Sequence, residues 1–129
     1  MNLTGLLEHI LWLAIEDYSC LWEVVWEINT RYPELLPTQR KTAAAYAVRT
    51  LLSRRWIKLY QCQEPYGTLT PLRSEEYEEA LSETANWAEP GEGTVSIRIG
   101  ATEEGERAYQ AERYYGDRKP DPSLVGVGG

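Results

Sequence analysis

The sequence is poor in the residues on which most catalytic and metal sites are built. It contains one histidine, His9, and two cysteines, Cys20 and Cys62, which lie far apart and in no metal-ligand spacing. A zinc cluster of familiar spacing cannot be formed from this set. No serine has the context of a nucleophile elbow, and the glycines lack the setting of a phosphate-binding loop. We therefore expect no enzymatic activity, no metal and no cofactor.

The sequence also lacks a long apolar run. The best candidate, Leu6–Ile15, is too short to cross a membrane and contains Glu8 and His9. No basic residue precedes it, so it does not have the form of a secretion signal. We expect a cytoplasmic protein with reduced thiols that does not bind membranes. Its 129 residues, of which 43% are hydrophobic and 26% charged, fit a single globular domain.

Hydrophobic periodicity predicts a helical first half. Residues 3–16 and 20–31 each carry an apolar stripe at helical spacing, and Ser19 is placed to cap the second of these helices. A third helix is predicted over 38–54, with Thr38 as its cap and its polar side turned outward.

The second half mixes strands and helices. Strands are predicted at Trp56–Gln63, which is rich in strand-forming residues, and at Thr94–Ile99, where apolar and polar residues alternate. Between them lies a long insertion, residues 64–92, which begins with a loop and in which Ser74–Trp87 has a helical pattern. Thr102 is predicted to cap a last helix over Glu103–Tyr115.

Two segments resemble those of a known superfamily. The segment VRTLLSRRWI, residues 48–57, is similar to the end of the recognition helix and the start of the wing in bacterial repressors of the multiple-antibiotic-resistance and phenolic-acid-response types. The segment IRIGATEEGERAY, residues 97–109, resembles the end of their wing, where a strand runs into a Thr-Glu-Glu-Gly helix start. The resemblance covers roughly residues 19–115. Arg55 stands where those families usually have glycine, and their wing is a short basic hairpin rather than a long acidic excursion.

The resemblance implies an α+β, mostly helical winged helix. It has three N-terminal helices, a two-stranded wing that here carries the acidic helical insertion, and a C-terminal helix. We expect this domain to occupy residues 1–115 and to be followed by a flexible tail over 116–129, which is rich in Gly, Pro and Asp. The resemblance further implies a DNA-binding transcriptional regulator that uses helix 38–54 as its recognition helix.

The charge distribution agrees with that function at one place. The net charge is −7, yet residues 35–63 contain six basic residues and no acidic residue. Cations hold phosphates, and glutamine and arginine can read base edges from a recognition helix. The candidate nucleic-acid-binding residues are Gln39, Arg40, Lys41, Thr42, Tyr46, Arg49, Arg54 and Lys58.

The insertion argues in the opposite direction. Its acidic side chains occupy the place where a wing would approach DNA, and carboxylates repel phosphates; they are Glu75, Glu76, Glu78, Glu79, Glu83, Glu89 and Glu92. The acidic helix can fold away from the DNA face, lie over the basic face of the third helix, or belong to a module that binds protein. The alternative function is therefore a winged-helix interaction or adaptor module that does not bind DNA.

The tryptophans suggest a further interface. Trp12, Trp22 and Trp26 on the first two helices are more aromatic surface than one small core can bury. We therefore predict a homodimer that uses the first helix and the last helix.

Overall fold

The chain folds as an α+β domain with an antiparallel sheet. The computed structural model describes residues 2–63, 67–91 and 93–112, so the predicted tail 116–129 lies outside the described residues. The last helix was predicted to reach Tyr115 but ends at Gln110, because Ala111 is its C-cap and Glu112 has a positive φ of 56°. The helices are α1 (Leu3–Glu16), α2 (Leu21–Arg31), α3 (Pro37–Ser53), α4 (Tyr77–Ser82) and α5 (Glu103–Gln110), and the strands are β1 (Ser19–Cys20), β2 (Ile57–Gln63), β3 (Thr68–Pro71) and β4 (Val95–Ala101).

The sheet has the order β1-β4-β2-β3 with every neighbouring pair antiparallel. The two predicted strands do pair, with Leu59 opposite Ile99. The prediction of only two strands was wrong, because β1 and β3 also join the sheet. β1 has two residues and β3 has four, and segments this short carry almost no periodic signal in the sequence.

The core lies between the helices and one face of the sheet. Ile57 and Leu59 of β2 and Ile99 of β4 are buried there, together with the apolar stripes of α1, α2 and α3. The bounds predicted for α1 are confirmed, and those of α2 differ by one residue. The cap predicted at Ser19 was wrong: Cys20 is the N-cap of α2, and its N–H donates to the Glu23 carboxylate at 3.0 Å.

α3 begins one residue earlier than predicted. Its N-cap is Leu36 rather than Thr38, and Pro37 occupies the first helical position. Proline fits there because its fixed φ suits the helix and that position needs no N–H. The Gln39 side chain completes this start, since its Oε1 accepts a hydrogen bond from the Leu36 N–H at 2.8 Å.

The insertion does not contain the single long helix that its pattern predicted. A 3₁₀ turn at Ser74–Glu76 leads into α4, and a second 3₁₀ turn follows at Thr84–Trp87. Glu83 has extended backbone and separates α4 from the second 3₁₀ turn. Its carboxylate accepts a hydrogen bond from the Ala85 N–H. The buried Trp87 side chain joins the core, and its indole N–H donates to the Leu81 carbonyl at 2.8 Å.

A small network joins the start of α5 to the start of β2. The Thr102 N–H donates to the Trp56 carbonyl at 2.9 Å, and the Thr102 hydroxyl donates to the Arg55 carbonyl at 2.8 Å. The same hydroxyl oxygen accepts from the Gly105 N–H, which makes Thr102 the N-cap that the sequence predicted. The Thr-Glu-Glu-Gly segment therefore fixes α5 against the strand that follows α3.

Arg55 adopts the backbone conformation for which glycine is best suited. Its φ is 61°, in the left-handed region, where a Cβ atom costs energy. We expect Arg55→Gly to raise the free energy of unfolding by about 0.5–1 kcal/mol in urea denaturation, net of the glycine's greater freedom in the unfolded chain. Arg54→Gly is the matched control, because Arg54 has right-handed helical angles, and this change should lower stability. Destabilisation by both changes would contradict the account of strain at Arg55.

Candidate functional site

The polar side of α3 faces outward, as the sequence predicted. Thr42 and Tyr46 are exposed, and Tyr46 is 52% accessible. Ala44, Val48 and Leu51 lie on the opposite side of the helix and are fully buried. The candidate surface is therefore available to a partner rather than packed against the protein's own interior.

Two of the predicted site residues stabilise the start of α3. Gln39 is exposed, but its Oε1 is engaged by the Leu36 N–H. Arg40 is half-buried, its Nη2 donates to the Pro33 carbonyl at 3.3 Å, and its Nε is buried with no partner among the described residues. Arg40 therefore belongs to the α2–α3 turn more than to the exposed face. The sequence could not indicate this, because the same residue types serve caps and binding sites alike.

A bidentate ion pair connects α3 to the insertion. Arg49 Nε and Nη2 donate to the two carboxylate oxygens of Glu78 at 3.2 and 2.7 Å. The side chains are 44% and 70% exposed, respectively. Hydrogen bonding with the guanidinium holds the pKa of the Glu78 carboxyl below its usual value. The insertion thus lies beside the basic helix but does not lie over its outer face, because Gln39, Thr42 and Tyr46 are exposed.

A recess of about 570 Å³ lies between α3 and the insertion. Leu81, Trp87 and Ala45 supply apolar lining, and Lys41 and Arg49 supply two cations. Lys41 is half-buried, and its ammonium forms no ion pair within residues 2–63, 67–91 and 93–112. We call this the cationic recess. Among the described residues no carboxylate lines it; the lining is Thr38, Lys41, Thr42, Ala45, Tyr46, Arg49, Leu81 and Trp87.

A second recess of about 380 Å³ lies on the other side of the same helix face, between α3 and the start of α1. In the part of the chain that the structure describes, no charged side chain lines it; the lining is Leu3, Leu6, Thr38, Gln39, Thr42, Ala43 and Tyr46. We call this the apolar recess. Thr38, Thr42 and Tyr46 line both recesses and form a ridge between them, the α3 ridge.

Two predicted site residues lie away from this surface. The Arg54 guanidinium packs over the Trp56 ring, 5.2 Å from its centroid. Lys58 lies between the buried Ile57 and Leu59 on β2, so its exposed side chain points to the opposite face of the sheet from α3. The structure therefore brings Gln39, Lys41, Thr42, Tyr46 and Arg49 together and leaves Arg54 and Lys58 outside. Sequence reasoning missed Leu3, Leu81 and Trp87, which line this site only through tertiary packing.

The reactive residue types have structural environments. His9 Nε2 lies 2.9 Å from Glu27 Oε2, and its ring stacks on Trp12. Cys20 and Cys62 are free and buried, and burial raises the pKa of the Cys20 thiol, which disfavours the reactive thiolate. In the described part of the chain, no group of three or more His, Cys, Asp or Glu side chains could hold a metal ion.

Comparison with protein families, with curated proteins and with solved structures gives no match. Among the described helices, none is both long enough and apolar enough to span a membrane. The function must therefore be argued from the α3 ridge and its two recesses.

Proposed function

We propose that the chain is a winged-helix domain that binds a protein partner through the α3 ridge. The winged-helix assignment is supported by the order of the elements. Three helices precede β2, an excursion connects β2 to its antiparallel partner β4, and α5 follows at the Thr-Glu-Glu-Gly segment. Function does not follow from such a fold alone, so the partner is inferred from the surface.

The observation that carries the proposal is the pair of recesses on the exposed side of α3. Tyr46, at 52% exposure, rises between them, and Leu3 beside it is 42% exposed. An aromatic anchor next to apolar cavities is typical of the centres of protein interfaces. Helical partners commonly place apolar side chains into a groove of this kind.

The insertion makes direct reading of DNA by α3 difficult. A major groove about 12 Å wide admits one helix of about 10–12 Å diameter. The Arg49–Glu78 pair holds α4 beside the flank of α3, so α4 would lie close to the groove that α3 enters. The glutamates of the insertion would then approach phosphates at close range, which is repulsive. A protein partner on the exposed side of α3 brings no phosphates close to these glutamates.

DNA binding is the second candidate, and it is favoured by the acid-free basic segment over 35–63. The Arg49–Glu78 pair is exposed and therefore weak, so a phosphate could replace Glu78 as the partner of Arg49. This function requires binding to duplex DNA that weakens steeply with salt and is lost in a Lys41→Ala, Arg49→Ala double variant. Failure of both promoter DNA and random duplex to bind at low salt would exclude it.

The protein-binding proposal is tested by selecting helical peptides from a displayed library against the full chain. We expect the selected peptides to lose at least about tenfold in affinity when Tyr46 is changed to alanine, because truncation of an interface anchor costs more than about 1 kcal/mol. Trp26→Ala is the matched control, since Trp26 has a similar exposure, 55%, and lies on α2. Peptides that bind Tyr46→Ala as tightly as the parent protein would contradict the proposal.

The homodimer through the first and last helices remains a prediction. It is supported by the packing of α1 against α5 and by the 39% exposure of Trp12 on α1. Trp12 lines neither recess of the α3 ridge.

A further inference from the structure

We propose that the partner segment is an acidic amphipathic helix, whose carboxylates pair with Lys41 and Arg49 while its apolar side chains fill the recesses. This inference rests on the proposed function, since it specifies the partner of the same surface. The inference also assigns a role to Glu78. The Glu78 carboxylate pairs with Arg49 until a carboxylate of the partner replaces it.

The charges around the α3 ridge select an acidic partner. α3 carries Arg40, Lys41 and Arg49 and has no acidic residue. Within residues 2–63, 67–91 and 93–112, no carboxylate lines either recess. A basic segment on this surface would place like charges beside Lys41 and Arg49, which is costly where water is excluded. An acidic segment gives both cations a partner.

The arrangement of the two recesses selects an amphipathic segment. The apolar recess offers Leu3, Leu6 and Ala43 and no charge, whereas the cationic recess has its cations on the other side of the ridge. A helix that carries apolar residues on one stripe and glutamates on the adjacent stripe fits both sides at once. The threonines of the ridge are small enough for a partner helix to approach α3 closely.

The Arg49–Glu78 pair can be exchanged at low cost. Both side chains are exposed, at 44% and 70%, and ion pairs of this kind contribute little to stability. A carboxylate from a docked partner would form the same two hydrogen bonds with Arg49 in a surrounding with less water, where such bonds are stronger. Release of Glu78 to solvent is therefore the expected consequence of partner binding.

The test uses three fluorescent helical peptides of about 18 residues, which span about 27 Å, close to the length of α3. All three carry the same leucine stripe, and the adjacent stripe holds glutamate, glutamine or lysine. We expect the glutamate peptide to bind the full chain about tenfold more tightly than the glutamine peptide, and the lysine peptide to bind more weakly than either. Binding of the glutamate peptide should weaken as the salt concentration rises and should be lost in Tyr46→Ala.

Two variants with the same net charge test the role of Glu78. Glu78→Gln frees Arg49, so we expect the glutamate peptide to bind about three- to tenfold more tightly, with no change for the glutamine peptide. Glu79→Gln is the matched control, because Glu79 lines a separate cleft beside Val95 and Ile97. That change should alter affinity by less than about twofold, since exposed charges at a distance are screened. Lys41→Gln should lower the affinity of the chain for the glutamate peptide.

The outcomes separate the two proposals. Equal, Tyr46-dependent binding of the glutamate and glutamine peptides would overturn the acidic partner and leave protein binding standing. Equal gains in affinity for the glutamate peptide from Glu78→Gln and Glu79→Gln would overturn the replacement of Glu78 at Arg49. The change in net charge alone would then explain both gains. If no peptide, designed or selected, binds in a Tyr46-dependent way while duplex DNA does bind, both the inference and the proposed function fail.

Discussion

Replacing Gly105 by alanine is expected to lower the free energy of unfolding by about 3 kcal/mol or more, an effect at the upper end of single substitutions. A Cβ atom at this position would overlap the Trp56 carbonyl group and lie 2.9 Å from its carbonyl carbon. The obstacle is backbone that Thr102 holds through two hydrogen bonds, so it cannot move without breaking the junction between α5 and β2. Urea denaturation measures the loss.

Gly5→Ala is the matched control for this prediction. Gly5 occupies the same third position of a helix, and its N–H is capped by Asn2 as that of Gly105 is capped by Thr102. An added Cβ there meets nothing closer than 3.7 Å, so we expect no loss and a gain of up to about 1 kcal/mol. Similar effects of the two changes would contradict the close approach of α5 to Trp56.

Replacing Trp87 by alanine is expected to lower the free energy of unfolding by about 3–5 kcal/mol. Trp87 is the buried side chain through which the second 3₁₀ turn of the insertion joins the core. Its loss leaves a cavity beside Leu81 and removes the donor to the Leu81 carbonyl. It also removes the floor of the cationic recess, so binding of the acidic peptide should be lost as well.

Trp26→Ala serves as the control here too. Trp26 is 55% exposed and stacks on Trp22, so its truncation should cost no more than about 1 kcal/mol. A loss of less than about 1 kcal/mol for Trp87→Ala would mean that the insertion folds independently of the core. The position of α4 beside Arg49 would then no longer be fixed by packing.

The parts of the fold that the sequence predicted are those with strong local signals. α1 has the predicted bounds because its apolar stripe repeats over almost four turns. Thr102 caps α5 as expected, since a hydroxyl followed by an acidic first turn favours a helix start. The outward polar side of α3 followed from its position opposite Ala44, Val48 and Leu51.

The remaining features depend on contacts between distant parts of the chain. β1 is a strand only because Ser19 and Cys20 meet β4, about 80 residues later. The apolar recess needs Leu3 of α1, and the cationic recess needs Trp87 of the insertion, beside the same face of α3. Gln39 and Arg40 look like base-reading residues in the sequence, yet the turn before α3 engages both.

The most direct test of the central claim is an amide NMR titration of the full chain with the acidic helical peptide. Binding at the α3 ridge should shift the amides of residues 38–49 and those near Leu3 and Leu81, and should leave Trp26 and the outer face of β2 unchanged. Shifts that cluster elsewhere, or that persist undiminished in Tyr46→Ala, would contradict the assignment of this surface as the binding site.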